Sequence, residues 1–160
     1  MADFLHNHKD FPELLRIVGS ELNIEPGLVE KDYWIMHSLY GLNIMGYTFE
    51  LKGGTSLSKG YGIIHRFSED IDIHIKPPDE AGISENPKTN KPNNVQARKE
   101  FYDWLSKDIK IDGIIDVIRD HAFDNEITYR SGGVRLHTQV TRKSLRVLKK
   151  EFFSKPDLIP

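Results

Sequence analysis

Apolar residues in the first part of the chain recur with the period of an α-helix. From Phe11 to Val18 an apolar side chain appears every three or four positions, which predicts a first helix. A longer apolar pattern begins at Pro26, a residue tolerated in the first turn of a helix, and Gly46 ends it. We therefore expect two N-terminal helices within residues 10–45.

The pattern changes between residues 48 and 75, where it predicts a strand, a turn, a helix and a second strand. The first strand covers residues 48–52 and is followed by a glycine pair, and a short helix is expected over residues 55–64. Asp70–Ile75 alternates strictly between polar and apolar residues. That alternation is typical of a half-buried strand and is the clearest strand signal in the chain.

The remainder of the chain begins with a proline-rich segment. Residues 76–94 contain four prolines among many polar residues, which predicts a long exposed loop. After it we expect a helix from Val95 through Leu105, and then a helix capped by Asp112 that carries Ile114, Ile115 and Ile118. A hairpin of two strands is expected over residues 126–138, and a basic helix over residues 141–153. Together these elements predict one α+β domain over residues 1–160, with a small mixed sheet flanked by helices.

Composition narrows the class of protein. The 160 residues suit one domain, and 38% hydrophobic with 29% charged residues is typical of a soluble globular protein. No stretch resembles a membrane span or a signal peptide, and the absence of cysteine excludes disulfides and thiolate zinc sites. We expect a cytoplasmic protein without a membrane partner. His6 and His8 lie in a segment expected to be frayed, which disfavours a metal site there.

Charge is distributed unevenly along the chain. Residues 130–160 contain eight Lys or Arg against two acidic residues, which gives this segment a charge of +6 and leaves −8 on residues 1–129. Such a segment is compatible with a nucleic-acid-binding arm. It is equally compatible with the solvated face of a helix, and the sequence does not separate the two interpretations.

Candidate chemistry is concentrated on the second predicted strand. Residues two apart in a strand point to the same face, so Asp70, Asp72 and His74 share a face while the intervening isoleucines face the core. Neighbouring carboxylates repel each other unless a cation lies between them. Oxygen ligands of this kind suit Mg²⁺ or Mn²⁺. The alternative is an edge strand with a solvated acidic face.

A candidate anion site precedes this strand. Gly53 and Gly54 allow close approach of a ligand, and the backbone N–H groups at the start of the following helix favour phosphate. Thr55 and Lys59 are four residues apart and share one helix face. The alternative is an ordinary helix cap by Thr55 or Ser56. Together with the two aspartates, the pattern predicts a phosphate cradle beside a metal site.

The segment KGGTSLSKGYGIIHRFSEDIDI, residues 52–73, resembles the AbiEii/MenT-type nucleotidyltransferase toxins of abortive-infection and toxin–antitoxin systems. VEKDYW at residues 29–34 is also similar to the upstream helix of that family, and the resemblance covers roughly residues 26–75. It implies a core of the DNA polymerase β-like nucleotidyltransferase superfamily. In that family a glycine turn at a helix start precedes a D-x-D strand.

The resemblance also implies roles for individual residues. Two metal ligands, Asp70 and Asp72, would hold Mg²⁺ or Mn²⁺. Arg66 would either bind phosphate or pair with Asp70 or Glu69. The residues that would hold the nucleoside triphosphate are Gly53, Gly54, Thr55, Ser56 and Lys59.

The chain departs from the family pattern in its second half. The family site includes a third carboxylate on a later strand, for which Glu126 is the best candidate because Asp116 and Glu151 lie on predicted helices. The chain stops at Pro160, where family members continue into a helical part, so the resemblance implies a truncated or minimal member. Both departures weaken the expectation of catalysis more than that of nucleotide binding.

These observations favour a metal-dependent nucleotidyltransferase that transfers a nucleotide from a triphosphate to an RNA, such as a tRNA end, or to a protein hydroxyl. A cognate antitoxin is the partner that the resemblance implies. The first alternative is a catalytically incomplete module that binds triphosphate and regulates. A second alternative is an interaction protein whose acidic strand binds a partner.

Overall fold

The computed structural model describes residues 3–56, 70–84, 86, 89–139 and 144–149. Short 3-10 turns lie at Leu5–Asn7, Asp79–Ala81 and His121–Phe123. The helices are α1 (Phe11–Leu22), α2 (Pro26–Ile44), α3 (Gly53–Thr55) and α4 (Pro92–Asp108), and the strands are β1 (Phe49–Leu51), β2 (Asp70–Ile75), β3 (Ile114–Asp120), β4 (Gly133–Thr138) and β5 (Ser144–Lys149).

The two N-terminal helices are confirmed close to their predicted bounds. α1 ends at Asn23, which adopts the left-handed conformation with a φ of 54° and donates its N–H to the last turn. α2 has Pro26 in its first turn, and the chain leaves it through Gly46 with a φ of 89°. A proline at the start and a glycine just past the end are the expected helix signals, which is why the sequence predicted α2 well.

The five strands form one mixed sheet in the order β1-β2-β5-β4-β3. β2 and β5 run parallel, whereas the other neighbouring strands are antiparallel. α2 packs against β5, and α4 packs against β3 and β4. The combination of one small mixed sheet with flanking helices confirms the predicted α+β class. The core between them contains Trp34, Ile35, Leu39, Leu42, Ile71, Ile73, Ile75, Phe101, Tyr102, Leu105, Ile109, Ile111, Val134 and Leu136.

The described residues between β2 and α4 (76–84, 86 and 89–91) are irregular apart from the 3-10 turn Asp79–Ala81, as predicted for residues 76–94, although α4 already begins at Pro92. Arg98 of α4 fixes this segment to the body of the protein. Its buried guanidinium donates to the carbonyl oxygen of Thr89 at 2.5 Å and to that of Thr128 at 2.7 Å.

The predicted helix after Asp112 is wrong, because Ile114–Asp120 forms strand β3. Its isoleucines recur at helical spacing, but β-branched isoleucines also favour strands. Pairing with β4, in which Ile118 lies opposite Arg135, decides between the two. Asp112 caps no helix and instead accepts a hydrogen bond from the Asn7 amide at 3.0 Å.

The predicted hairpin over residues 126–138 is half wrong. Its second strand is β4, but residues 126–128 form a turn and the antiparallel partner of β4 is β3. The connection from β3 to β4 is held by Arg119, which donates to both carboxylate oxygens of Asp124 at 2.8 and 2.7 Å. Arg119 also donates to Asp103 at 3.0 Å and to the carbonyl oxygen of Gly133 at 2.5 Å. The contacts of this side chain therefore hold the connection in which the first strand of the hairpin was predicted.

The predicted basic helix is also wrong over its described part, since Ser144–Lys149 forms strand β5. The rest of that prediction, residues 141–143 and 150–153, lies outside the described residues. β5 fills the gap between β2 and β4 and pairs with both of them. Hydrogen bonding to a strand on each side stabilises β5 as a strand, and this tertiary effect cannot be predicted from the local charge pattern.

The N-terminal segment around His6 is packed against the body of the protein and is not frayed, contrary to expectation. The His6 side chain is fully buried, and its Nε2 lies 2.6 Å from Oδ1 of Asp112. Its Nδ1 lies 2.7 Å from the Tyr33 hydroxyl oxygen. These two polar contacts satisfy both ring nitrogens, which is what burial of an imidazole requires.

Candidate functional site

The site is built on the outer face of β2. Ile71, Ile73 and Ile75 are at most 1% exposed and belong to the core. Asp70, Asp72 and His74 alternate with them and are partly exposed, so the three polar side chains share the opposite face as predicted. Burial of the isoleucines fixes the register of the strand, because a slip by one residue would bury the aspartates.

The glycine turn lies directly beside this face. The backbone N–H of Lys52, just after β1, donates to the carbonyl oxygen of Asp72 at 2.8 Å. Gly53 then takes a φ of 56° and opens the helical turn α3, and the N–H of Ser56 donates back to the carbonyl oxygen of Lys52 at 3.1 Å. The helix therefore starts at the first glycine, two residues earlier than predicted.

Gly53 is required by its surroundings as well as by its backbone conformation. A Cβ atom at this position would overlap Oδ2 of Asp72. Its positive φ is also costly for any residue with a side chain. The carboxylate of Asp72 and the backbone of the glycine turn are thus in direct contact, which brings the two halves of the predicted site together.

Two further charged residues on β1 and at its end border the same face. Glu50 pairs with His74 across the β1–β2 ladder, and its Oε2 lies 2.9 Å from Nζ of Lys52 and 3.9 Å from Nδ1 of His74. The Lys52 hydrogen bond and charge, with a smaller contribution from His74, hold the pKa of Glu50 below its usual range. Sequence analysis did not select Glu50 or Lys52. The alternation of Phe49, Glu50 and Leu51 opposite β2 was the signal that could have identified them.

The remaining predicted site residues differ in what the structure says about them. Gly54 and Thr55 belong to the helical turn α3, and Ser56 follows it. Lys59 and Arg66 lie outside the described residues. The strand next to β2 on the other side carries basic residues, because Arg146 and Lys149 of β5 lie in register with Asp70 and Asp72.

Glu126 lies neither on β2 nor on a strand next to it. It is exposed in the turn between β3 and β4, and β5 lies between β2 and the two strands that this turn connects. Each intervening strand adds about 4.8 Å. Asp116 was not chosen as the third carboxylate because a helix was predicted there. It lies on β3, at the edge of the sheet away from β1, and Glu151 lies outside the described residues.

The donor set at β2 suits a hard cation only in part. Within the described ranges, no three His, Asp or Glu side chains are grouped closely enough to hold a metal ion. The two carboxylates of Asp70 and Asp72 are oxygen donors of the type that Mg²⁺ prefers, but its shell would need further oxygen atoms. Phosphate groups bound at the adjoining glycine turn would supply such atoms.

A family model described as nucleotidyl transferase AbiEii toxin, type IV toxin–antitoxin system, matches residues 38–152. The match runs from α2 through β5 and so extends well beyond the segment that carries the motif. No curated protein and no solved structure matches the chain. No helix in the part of the chain that the structure describes is long and apolar enough to cross a membrane. The matched region covers well over half of the sequence, and the chain therefore belongs to the AbiEii family of nucleotidyl transferase toxins.

Proposed function

We propose that this chain transfers a nucleotide from a nucleoside triphosphate to a hydroxyl group of RNA, such as a tRNA end. One observation carries the proposal: the glycine turn at Gly53 lies against the carboxylate of Asp72. A triphosphate held at the turn would therefore have its oxygen atoms next to the metal-binding face. Membership of the AbiEii family supports the same reaction class.

The roles of the residues follow from this placement and from the family pattern. Backbone N–H groups of Gly53, Gly54 and Thr55 would hold the triphosphate, and the Ser56 hydroxyl would lie at the edge of the cradle. The side chains of Lys59 and Arg66 would add positive charge. The acceptor hydroxyl would give its proton to solvent water, and its oxygen would form a bond to the α-phosphorus. The bond from the α-phosphorus to the oxygen that bridges it to the β-phosphorus would break, and pyrophosphate would leave.

Asp70 and Asp72 would hold Mg²⁺ or Mn²⁺. When bound, such an ion neutralises phosphate charge and lowers the pKa of an attacking hydroxyl group. The chain's own part is to fix the two carboxylates on one rigid strand, with Ile71 and Ile73 anchored in the core behind them. A rigid strand places ligands more reproducibly than a loop does.

RNA is favoured over a protein hydroxyl as the acceptor because the C-terminal part of the chain is positively charged. Residues 130–160 carry a net charge of +6, and β5, within this segment, adjoins β2. Basic residues on the strand next to β2 would attract a phosphate backbone. The type IV toxin–antitoxin assignment of the family supports a cognate antitoxin as a further partner.

A second candidate function is triphosphate binding without transfer. It is favoured by the lack of a three-residue acidic cluster among residues 3–56, 70–84 and 89–139. A nucleotide-bound ion takes several ligands from the triphosphate itself, whereas an ion on the acceptor side depends more on protein carboxylates. Two aspartates could thus support binding and leave transfer weak.

Transfer from α-labelled triphosphates separates the two candidates. We expect label to appear in RNA when the protein, total RNA and Mg²⁺ or Mn²⁺ are combined, and not with Asp72→Asn. Label on the protein in place of RNA would make a protein hydroxyl the acceptor. Bound triphosphate without any labelled product would favour the second candidate, and robust transfer by Glu126→Gln would exclude Glu126 as the third carboxylate.

Gly53 offers a sharper test of the proposed cradle. Gly53→Ala is expected to slow transfer, or to weaken triphosphate binding, by about 100-fold, because the new methyl group displaces the Asp72 carboxylate by about 1 Å. Gly82→Ala is the matched control, since Gly82 has a φ of 62° with no atom within 4 Å of an added Cβ. Equal losses in the two variants would assign the effect to backbone strain alone.

A further inference from the structure

We infer that Lys52 is a phosphate-binding cation of the nucleotide site and that Glu50 is its counterion in the free protein, displaced when a triphosphate binds. The inference rests on the proposed function, because it concerns the same triphosphate. It assigns a function to Glu50 and Lys52, two residues of β1 and its end to which the sequence analysis gave no role.

The position of Lys52 is fixed by its backbone. Its N–H donates to the carbonyl oxygen of Asp72 at 2.8 Å, so its Cα lies beside the residue proposed to hold the metal. The next residue is Gly53, where the turn touches the Asp72 carboxylate. A lysine side chain reaches about 6 Å from its Cα, a span of four rotatable bonds. Phosphate groups bound at the turn would lie within that reach.

In the free protein the Lys52 side chain is held by Glu50. The Nζ to Oε2 distance is 2.9 Å, and His74 Nδ1 lies 3.9 Å from the same oxygen. The Lys52 side chain is 48% exposed and that of Glu50 71% exposed, so water screens the pair. Exposed ion pairs are weak, and a triphosphate with several negative charges competes for the lysine on favourable terms.

Glu50 is assigned as a counterion and not as a third metal ligand. It lies opposite His74, which is two residues beyond Asp72 and four residues beyond Asp70 along β2. Its carboxylate is already bound by Lys52, and the described residues contain no group of three that could hold a metal. A carboxylate at this position repels a triphosphate unless the lysine neutralises it.

The two substitutions are expected to act in opposite directions. Lys52→Ala should weaken Mg²⁺-triphosphate binding by about tenfold or more, as expected for the loss of one charge-assisted hydrogen bond. Glu50→Gln should strengthen binding by about twofold to fivefold, which corresponds to releasing one exposed ion pair. Neither should change the binding of a nucleoside, which has no phosphate.

The measurement is calorimetric titration of each of the four nucleoside triphosphates with Mg²⁺ into the full chain. Lys52→Arg should keep most of the affinity, and Lys110→Ala, an exposed lysine elsewhere, is the control for a general loss of positive charge. Both target side chains are exposed, so thermal unfolding should be unchanged in every variant.

The outcomes separate this inference from the proposed function. Absence of triphosphate binding by the unchanged protein would overturn both. Binding by the unchanged protein with wild-type affinity in Lys52→Ala would overturn only the assignment of Lys52. Weaker binding in Glu50→Gln would overturn the counterion assignment and make Glu50 a ligand. Weaker triphosphate binding in Lys52→Ala and stronger binding in Glu50→Gln, with nucleoside binding unchanged in both, would establish the roles of Lys52 and Glu50.

Discussion

Replacement of Asp70 and Asp72 together by asparagine is expected to lower Mg²⁺-dependent triphosphate binding by at least about 100-fold. Loss of an outer residue that merely orients a metal ligand costs about 10–100-fold in metal affinity, so loss of both ligands should reach or exceed that range. Asparagine keeps the shape and the alternation of β2, in which the isoleucines at 71, 73 and 75 are at most 1% exposed. The fold should therefore survive.

Calorimetry with Mg²⁺ and then with a chelator isolates the metal-dependent part of the affinity. Asp79→Asn with Glu80→Gln is the matched control, because it removes two exposed negative charges from the segment after β2. The control should bind as the unchanged protein does. A double asparagine variant with undiminished affinity in Mg²⁺ would show that these aspartates hold no metal.

Arg119→Met should have the largest effect on stability, a loss of about 3–5 kcal/mol in the free energy of unfolding. That range applies when one partner of a buried ion pair is removed and the other charge stays buried. The Asp124 side chain is 3% exposed and, among the described residues, would keep the His121 ring nitrogen, 2.8 Å away, as its partner. Arg119 also lies 5.2 Å from the Tyr102 ring centroid, so packing is lost as well.

Urea unfolding monitored by circular dichroism measures this loss. Arg16→Met is the control, because the Arg16–Glu13 pair is 65% and 61% exposed and should contribute about 1 kcal/mol or less. A loss of similar size in both variants would mean that the contacts of Arg119 are not what stabilises the β3–β4 connection.

Local sequence signals predicted the first half of the fold well. α1, α2, β1, β2 and α4 each have a clear period or a proline or glycine at the end, and these signals act within a few residues. The second half was mispredicted where strands depend on distant partners. β3 and β5 are strands because β4 lies between them and β2 accepts β5, information that a window of ten residues does not contain.

In the candidate site too, features set by local sequence could be predicted, and features set by distant partners could not. The shared face of Asp70 and Asp72 follows from alternation alone, so it could be predicted. The approach of Gly53 to Asp72 and the pairing of Glu50 with His74 depend on the register between β1 and β2, which the sequence does not specify. Glu126 was selected as the head of a strand, but it lies in a turn.

Burial of His6 could not be predicted for a similar reason. Near a chain terminus, two histidines among polar residues indicate fraying. The partner of His6 is Asp112, more than one hundred positions away, and the loop that carries Asp112 was itself assigned to a helix. Because a helix was wrongly predicted after Asp112, the contacts of Asp112 with His6 and Asn7 could not be predicted.

The late position of β5 in the sequence affects how the protein is made. At about 5–20 residues per second, a ribosome needs roughly 4–15 seconds to proceed from β2 to the end of β5. Of the strands that pair with β2 in the described residues, β1 alone has been made during that interval, and an isolated pair of strands is marginally stable by itself. A nascent chain thus carries the glycine turn and both aspartates well before the sheet that holds them in place can form. For a toxin, that order delays assembly of the proposed nucleotide site until residue 149 has left the ribosome.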